Sequence, residues 1–171
     1  MNKFHEYRKI FPNLLVDIST KADGNLSFNY GGKLETQDNR INYFSKIGID
    51  IKNVIKINVL HSDEIIVINQ ENQLNDITEI NADAVITRYK NKYFYILFGD
   101  CIPMIFISPG SETFAYAHLS WKSICKNLHT KTLLEYCRFI NTNPENIIIL
   151  LGPSIKADSY CFSNPSQLTM P

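Results

Sequence analysis

The chain has 171 residues, 44% of them hydrophobic and 20% charged, which suits one globular domain with a sizeable core and leaves no room for a second. Its 17 basic and 17 acidic residues cancel, and no Lys/Arg run interleaves with aromatics, so the electrostatic footprint of a nucleic-acid or anionic-membrane binder is missing. The apolar runs are too short to cross a bilayer and the first residues carry no signal-peptide core, so a soluble, cytoplasmic protein is expected.

In chain order, Leu14 to Ile18 and Asn25 to Tyr30 read as short strands joined by a turn around Lys21 to Gly24, where Asp23-Gly24 supplies the turn chemistry. Gly31-Gly32 breaks the run. Ile41, Phe44 and Ile47 then recur at helical spacing, which predicts a helix over Gln37 to Ile47, closed by Gly48 in the left-handed conformation. Six stretches rich in β-branched and aromatic residues follow as predicted strands: Val54 to Leu60, Ile65 to Asn69, Ala82 to Thr87, Tyr93 to Phe98, Ile102 to Ser108 and Thr113 to His118. Trp121 to Ile140 reads as one long helix with Ser120 as its N-cap, and Asn146 to Leu151 as a last buried strand. The sum is an α/β (α+β) domain spanning 1–171, a mixed sheet flanked by helices, with a loose tail at 162–171.

His61, Cys101 and His118 stand apart as three zinc-type ligands in three separate segments, each beside a predicted strand. Their spacing is far from the short pairs of zinc fingers, so any site they form is assembled by tertiary folding. Two neutral imidazoles and one thiolate would leave a bound Zn²⁺ with net positive charge and an open fourth position. Taken alone, Cys101 is more often a small buried hydrophobe than a ligand, and a satisfied structural histidine is an equally ordinary role for His118. Pro103 is expected to interrupt the strand beside Cys101 and so turn that side chain toward a cleft. The other cysteines, Cys125, Cys137 and Cys161, form no CxxC or disulfide framework with it, which makes reduced thiols the default. Arg40 and Lys122 are the cations considered for a substrate anion such as phosphate, against solvated helix residues. Asp83 and Asp100 are candidate acid/base groups, against turn or capping duty.

At these residues the chain resembles the YfiH-like family, known in turn as multicopper polyphenol oxidases (laccases), peptidoglycan editing factors and purine nucleoside phosphorylases. Asn81 to Thr87 looks like the family's "ADALIT" stretch, Gly99 to Pro103 like "ADCLP", His118 to Ser123 like "HAGWRG", Leu151 to Ile155 like "LGPAI", and Asn39-Arg40 matches its early "NR". Five such motifs in order, from about Ser19 to Cys161, form a specific signal. The resemblance implies a zinc site carried by His61, Cys101 and His118, and activity on purine nucleosides by phosphorolysis, by hydrolytic deamination of adenosine, or both. It implies that Arg40 and Lys122 bind phosphate or substrate, and that Asp100 orients a ligand or relays a proton next to the catalytic pair Cys101 and His118. Self-association into a homo-oligomer stays open. An amide hydrolase acting on a peptidoglycan precursor is also within the family's range. A copper oxidase fits worst, since four histidines cannot supply several copper centres.

The chain departs from the family pattern at particular positions. Val59 stands where a Gln usually precedes the first histidine by two residues, both glycines of "HAGWRG" are serines here, Ser120 and Ser123, and Lys122 replaces its arginine. The usual C-terminal part of the family is not present in these 171 residues. These departures keep a second expectation alive, a non-catalytic metal-binding or interaction module descended from the family.

Overall fold

The computed structural model of the chain describes Tyr7 and residues 10–69 and 77–161. The predicted tail at 162–171 lies outside these residues. Helix α1 (Lys33–Lys46) begins four residues before the expected start, because its first turn is polar and carries no apolar period to announce it; the Thr36 N–H closes that turn on the Gly32 carbonyl. The helix ends as expected, with Gly48 at φ 78°, a conformation that a side chain would strain.

The two strands expected before α1 do not form. Residues 14–18 form no strand, and 25–30 are a turn system in which the Asn25 side chain accepts from the Ser27 N–H and donates to the Ser27 and Tyr30 carbonyls. An Asn side chain that satisfies the backbone locally competes with a ladder, and here it wins. The segment still contributes Leu26 to the core, against Tyr43, Phe44 and Ile49.

Eight strands follow among the described residues: β1 (Val54–Asn58), β2 (Ile65–Ile68), β3 (Glu79–Asn81), β4 (Ala84–Thr87), β5 (Tyr93–Ile96), β6 (Ile102–Ile107), β7 (Phe114–Leu119) and β8 (Ile148–Leu151). They make two sheets where one was expected. The smaller is parallel, in the order β3-β1-β5; the larger is mixed, in the order β2-β4-β7-β6-β8, with β2 and β4 parallel and the other pairs antiparallel. Pro103 does not interrupt β6 but sits second in it, near the strand start where a missing N–H is tolerated. The expected long helix is two, α2 (Trp121–Cys125) and α3 (Leu128–Ile140), separated by Asn127 at φ 59°. Ser120 caps α2 as expected, its hydroxyl accepting from the Ser123 N–H.

Alternation along the strands sorts the side chains into four layers. Val54, Tyr93, Tyr95 and Leu97 turn toward α1, whereas Ile55, Ile57, Phe94 and Ile96 meet Ile68, Val85 and Tyr116 of the larger sheet. The opposite face of that sheet, Ala84, Ile86, Phe106, Ala115, Ala117 and Leu119, packs on Leu128 and Tyr136 of α3. The alanines of β4 and β7 let the helix approach closely. No helix among the described residues is long and apolar enough to cross a membrane.

Leu128, with no exposed surface, joins α3 to the larger sheet, whereas Leu134 on the same helix is 43% exposed. Leu128→Ala should cost about 2–5 kcal/mol in urea denaturation, through lost burial and the cavity left behind. Leu134→Ala should stay within about 0.5 kcal/mol of the parent.

Candidate metal centre

The topology gathers one end of several strands. β1 and β5 are parallel, so the chain leaves both at the same end, into residues 59–64 and 97–101. β4 and β6 run antiparallel to β7 and begin where β7 finishes. Asp83 before β4, Cys101 before β6 and His118 near the end of β7 therefore meet His61, which follows β1. The Ala82 N–H bonds the Asn58 carbonyl, and the His118 N–H bonds the Asp83 carbonyl at 2.7 Å, tying both sheets together here.

One ligand atom from each of His61, Cys101 and His118 lies within 4.8 Å of the others. The two imidazoles meet edge to face with centroids 5.1 Å apart. His118 is buried, Cys101 is half-buried and His61 is exposed, so the group opens to solvent on the His61 side. His61 has a left-handed backbone, φ 55°, which for a residue with a side chain costs of order 1–2 kcal/mol. Asp83 holds it there. This fully buried carboxylate accepts from the Leu60, His61 and Ser62 N–H groups at 3.2, 2.9 and 2.8 Å and from the Ser62 hydroxyl at 2.7 Å. Its Oδ1 also lies 3.2 Å from His118 Nδ1.

The charges follow from this arrangement. Burial works to raise the Asp83 pKa, but His118 and the donors of residues 61 and 62 outweigh it and hold the carboxyl well below its usual range. Burial likewise pulls His118 down, yet its bond to Asp83 and the adjoining Cys101 sulfur carry it up to about 9. His61 is lowered, first by burial and then by the charge on His118. A proton thus sits where two imidazoles and a thiol converge, and a cation is the species that could displace it. The donor set fits zinc: around a tetrahedral ion with bonds of 2.0–2.3 Å the ligand atoms stand roughly 3.3–3.8 Å apart, so a closure of at most about 1.5 Å would seat the ion.

Of the other candidates, Lys122 lies beside the group. With Leu60, His61, Ser62, Trp121 and Lys126 it lines an open cleft of about 480 Å³. Asp100 is exposed, adjoins Cys101 in the chain, and its carbonyl accepts from the Ile155 N–H. Arg40 has its contacts elsewhere: Nε donates to the Leu26 carbonyl at 2.7 Å, and the guanidinium lies 4.0 Å from the Phe28 ring and 5.1 Å from that of Tyr95. Ser62 and Lys126 carried no signal in the sequence. The duty of Asp83 did, since an acid directly before a fully buried strand must find donors. The two serines at the family's glycine positions are partners of each other: Ser123 Oγ accepts from the Ser120 N–H at 2.8 Å while Ser120 Oγ accepts from the Ser123 N–H at 3.1 Å.

The folded-state pKa of His118 lies above its ordinary 6.5, so its proton stabilises the fold fully below about pH 6.5, and that contribution is lost as pH rises through about 9. In chelator-treated protein the melting temperature should fall over this window, and His118→Gln should flatten the fall.

A family model described as multi-copper polyphenol oxidoreductase laccase matches residues 18–169. A protein named purine nucleoside phosphorylase from Rickettsia prowazekii is 26% identical over 155 residues, covering 90% of this chain and 60% of its own length. One of the same name from Haemophilus influenzae is 27% identical over 140 residues, covering 79% and 53%. Among solved structures, YlmD from Geobacillus stearothermophilus superposes with a TM-score of 0.69 at 18% identity over 80% of this chain and 53% of that one, a likeness of fold. The chain thus spans little more than half the length of these relatives. With the family model covering most of its residues, the chain belongs to the multi-copper polyphenol oxidoreductase laccase family, whose members include the YfiH-like proteins.

Proposed function

We propose that this chain carries the metal centre of a zinc-dependent purine nucleoside phosphorylase, with His61, Cys101 and His118 as the ligands. The observation that supports this most is the position of the cleft: two lysines, 122 and 126, and the indole of Trp121 line it together with His61. Cations suit phosphate, and an aromatic face suits a purine. The names of the relatives supply the substrate class.

In the proposed reaction a phosphate oxygen attacks C1′ of the ribose, the bond from C1′ to the purine nitrogen breaks, and the purine leaves with the electron pair and takes up a proton. Zinc, when bound, supplies Lewis acidity at the open side of the ligand set. Lys122 and Lys126 hold the phosphate, Trp121 lies along the base, and Asp100 orients the sugar. Arg40 does not line this cleft and is given no part in this reading. Deamination of adenosine would use the same ligand set, with water in place of phosphate as the nucleophile. The proposed setting is cytoplasmic, where reducing conditions would keep Cys101 available as a thiolate ligand.

With inosine and phosphate the protein should release hypoxanthine at a rate that depends on phosphate. Lys122→Ala should raise the KM for phosphate, and His118→Ala should lower kcat/KM by about 10²-fold or more. Equal turnover by wild type and His118→Ala would exclude this site. No turnover of inosine or adenosine by zinc-loaded wild type would favour the non-catalytic module.

A further inference from the structure

Asp83 touches both histidine ligands at once. Its Oδ1 receives the His61 N–H at 2.9 Å and lies 3.2 Å from His118 Nδ1, while Oδ2 receives the N–H and hydroxyl of Ser62 at 2.8 and 2.7 Å. Neither Asp83 nor His118 is exposed beyond 1%. Asp83 is therefore walled off from any nucleoside in the cleft, which removes it from acid/base work on the substrate. Turn duty alone does not describe it either, because one of its partners is an imidazole on another strand.

We infer that Asp83 is a positioning residue that sets the metal-binding tautomer of His118 and, through the same carboxylate, the backbone of His61. An ionised carboxylate can only accept. His118 Nδ1 must then carry the proton, which leaves Nε2 as the nitrogen free to ligate. The same oxygen fixes the backbone N–H of His61, so the ring of His118 and the backbone that carries His61 are registered to one atom. His61 is kept in its left-handed conformation by three consecutive backbone donors, of residues 60, 61 and 62, all spent on this one group. Histidine ligands whose second nitrogen is held by a carboxylate are a general device for orienting the ring and raising its basicity. The inference rests on the metal reading only for its effect on affinity; the Nδ1–H bond to Asp83 does not depend on it.

Asp83→Asn is the discriminating change. An amide of the same shape offers one acceptor and one NH₂, and cannot serve donors on both of its sides. Either Ser62 or the pair His61 and His118 loses its acceptor. Histidine labelled with ¹⁵N, with the His118 signals identified by their loss in His118→Gln, reports which nitrogen is protonated. Wild type should show a slowly exchanging Nδ1–H at His118, with and without zinc. With its NH₂ turned to the histidine side Asp83→Asn should lose that protected proton, and in either orientation zinc affinity measured by chelator competition should weaken roughly 10- to 100-fold, because a neutral amide no longer raises the basicity of His118. Ser62→Ala, which removes a hydroxyl but neither histidine contact, should keep the protected Nδ1–H. A proton on Nε2 in zinc-loaded wild type would overturn the inference, as would Asp83→Asn with wild-type zinc affinity and an intact Nδ1–H. If Asp83→Asn does not fold, the wild-type and Ser62→Ala spectra still decide the tautomer. If wild type takes up no zinc, the metal reading fails, and the metal-free spectrum alone decides whether Asp83 holds His118.

Discussion

A carboxylate with no exposed surface is tolerable only when donors replace the water it has lost. At Asp83 those donors are three backbone N–H groups, one hydroxyl and one imidazole. Its own backbone holds the Glu64 carbonyl on one side and the His118 N–H on the other. The loop after β1 has no regular structure beyond Asn58, so this single residue largely defines where residues 60–62 lie. The convergence of His61 with His118 is thus bought by burial of a charge in the joint between two sheets.

The layers explain why such a joint exists. Two sheets packed face to face leave their strand ends stacked, and the alternating face of β7 turns Tyr116 and His118 toward the smaller sheet while Ala115, Ala117 and Leu119 turn toward α3. A residue on that inner face at the strand end reaches the gap between sheets, where the loops after β1 and β5 arrive. Burial is therefore graded across the ligand set, from His118 inside to His61 at the surface. The buried end gains rigidity from Asp83, and the exposed end faces the lysines of the cleft. The substituted motif at the start of α2 keeps this geometry by a different chemistry: Ser120 and Ser123 cap each other and thereby fix the turn that follows His118. Backbone freedom at two glycines has been exchanged for two side-chain hydrogen bonds.

Much of this was legible in the residues themselves. The β-branched and aromatic runs mark most strands of the two sheets, Gly48 marks the end of α1, and His61, Cys101 and His118 stand out as candidate ligands that the fold brings together. What failed had local causes. Of the apolar alternation in residues 25–30 only Leu26 is buried, and the side chain of Asn25 captures the backbone that a strand would need. The periodicity of 121–140 runs through Asn127 because only a backbone angle, not a change of pattern, divides the two helices there. Division into two sheets leaves no trace in any single strand, since an apolar face marks burial but not which neighbours a strand pairs with. Lys126 and Ser62 belong to the cleft through tertiary placement alone, and Arg40, marked by its motif, lies over the Phe28 and Tyr95 rings and does not line that cleft.

The account stands on the claim that three residues from separate segments form one metal centre around a shared buried acid. The most direct test is the metal content of protein purified without added metal or a histidine tag, wild type beside Cys101→Ala. About one zinc per chain in the wild type, lost in the variant, is the predicted result. Wild-type protein without bound metal, or a Cys101→Ala variant that retains it in full, would contradict the account.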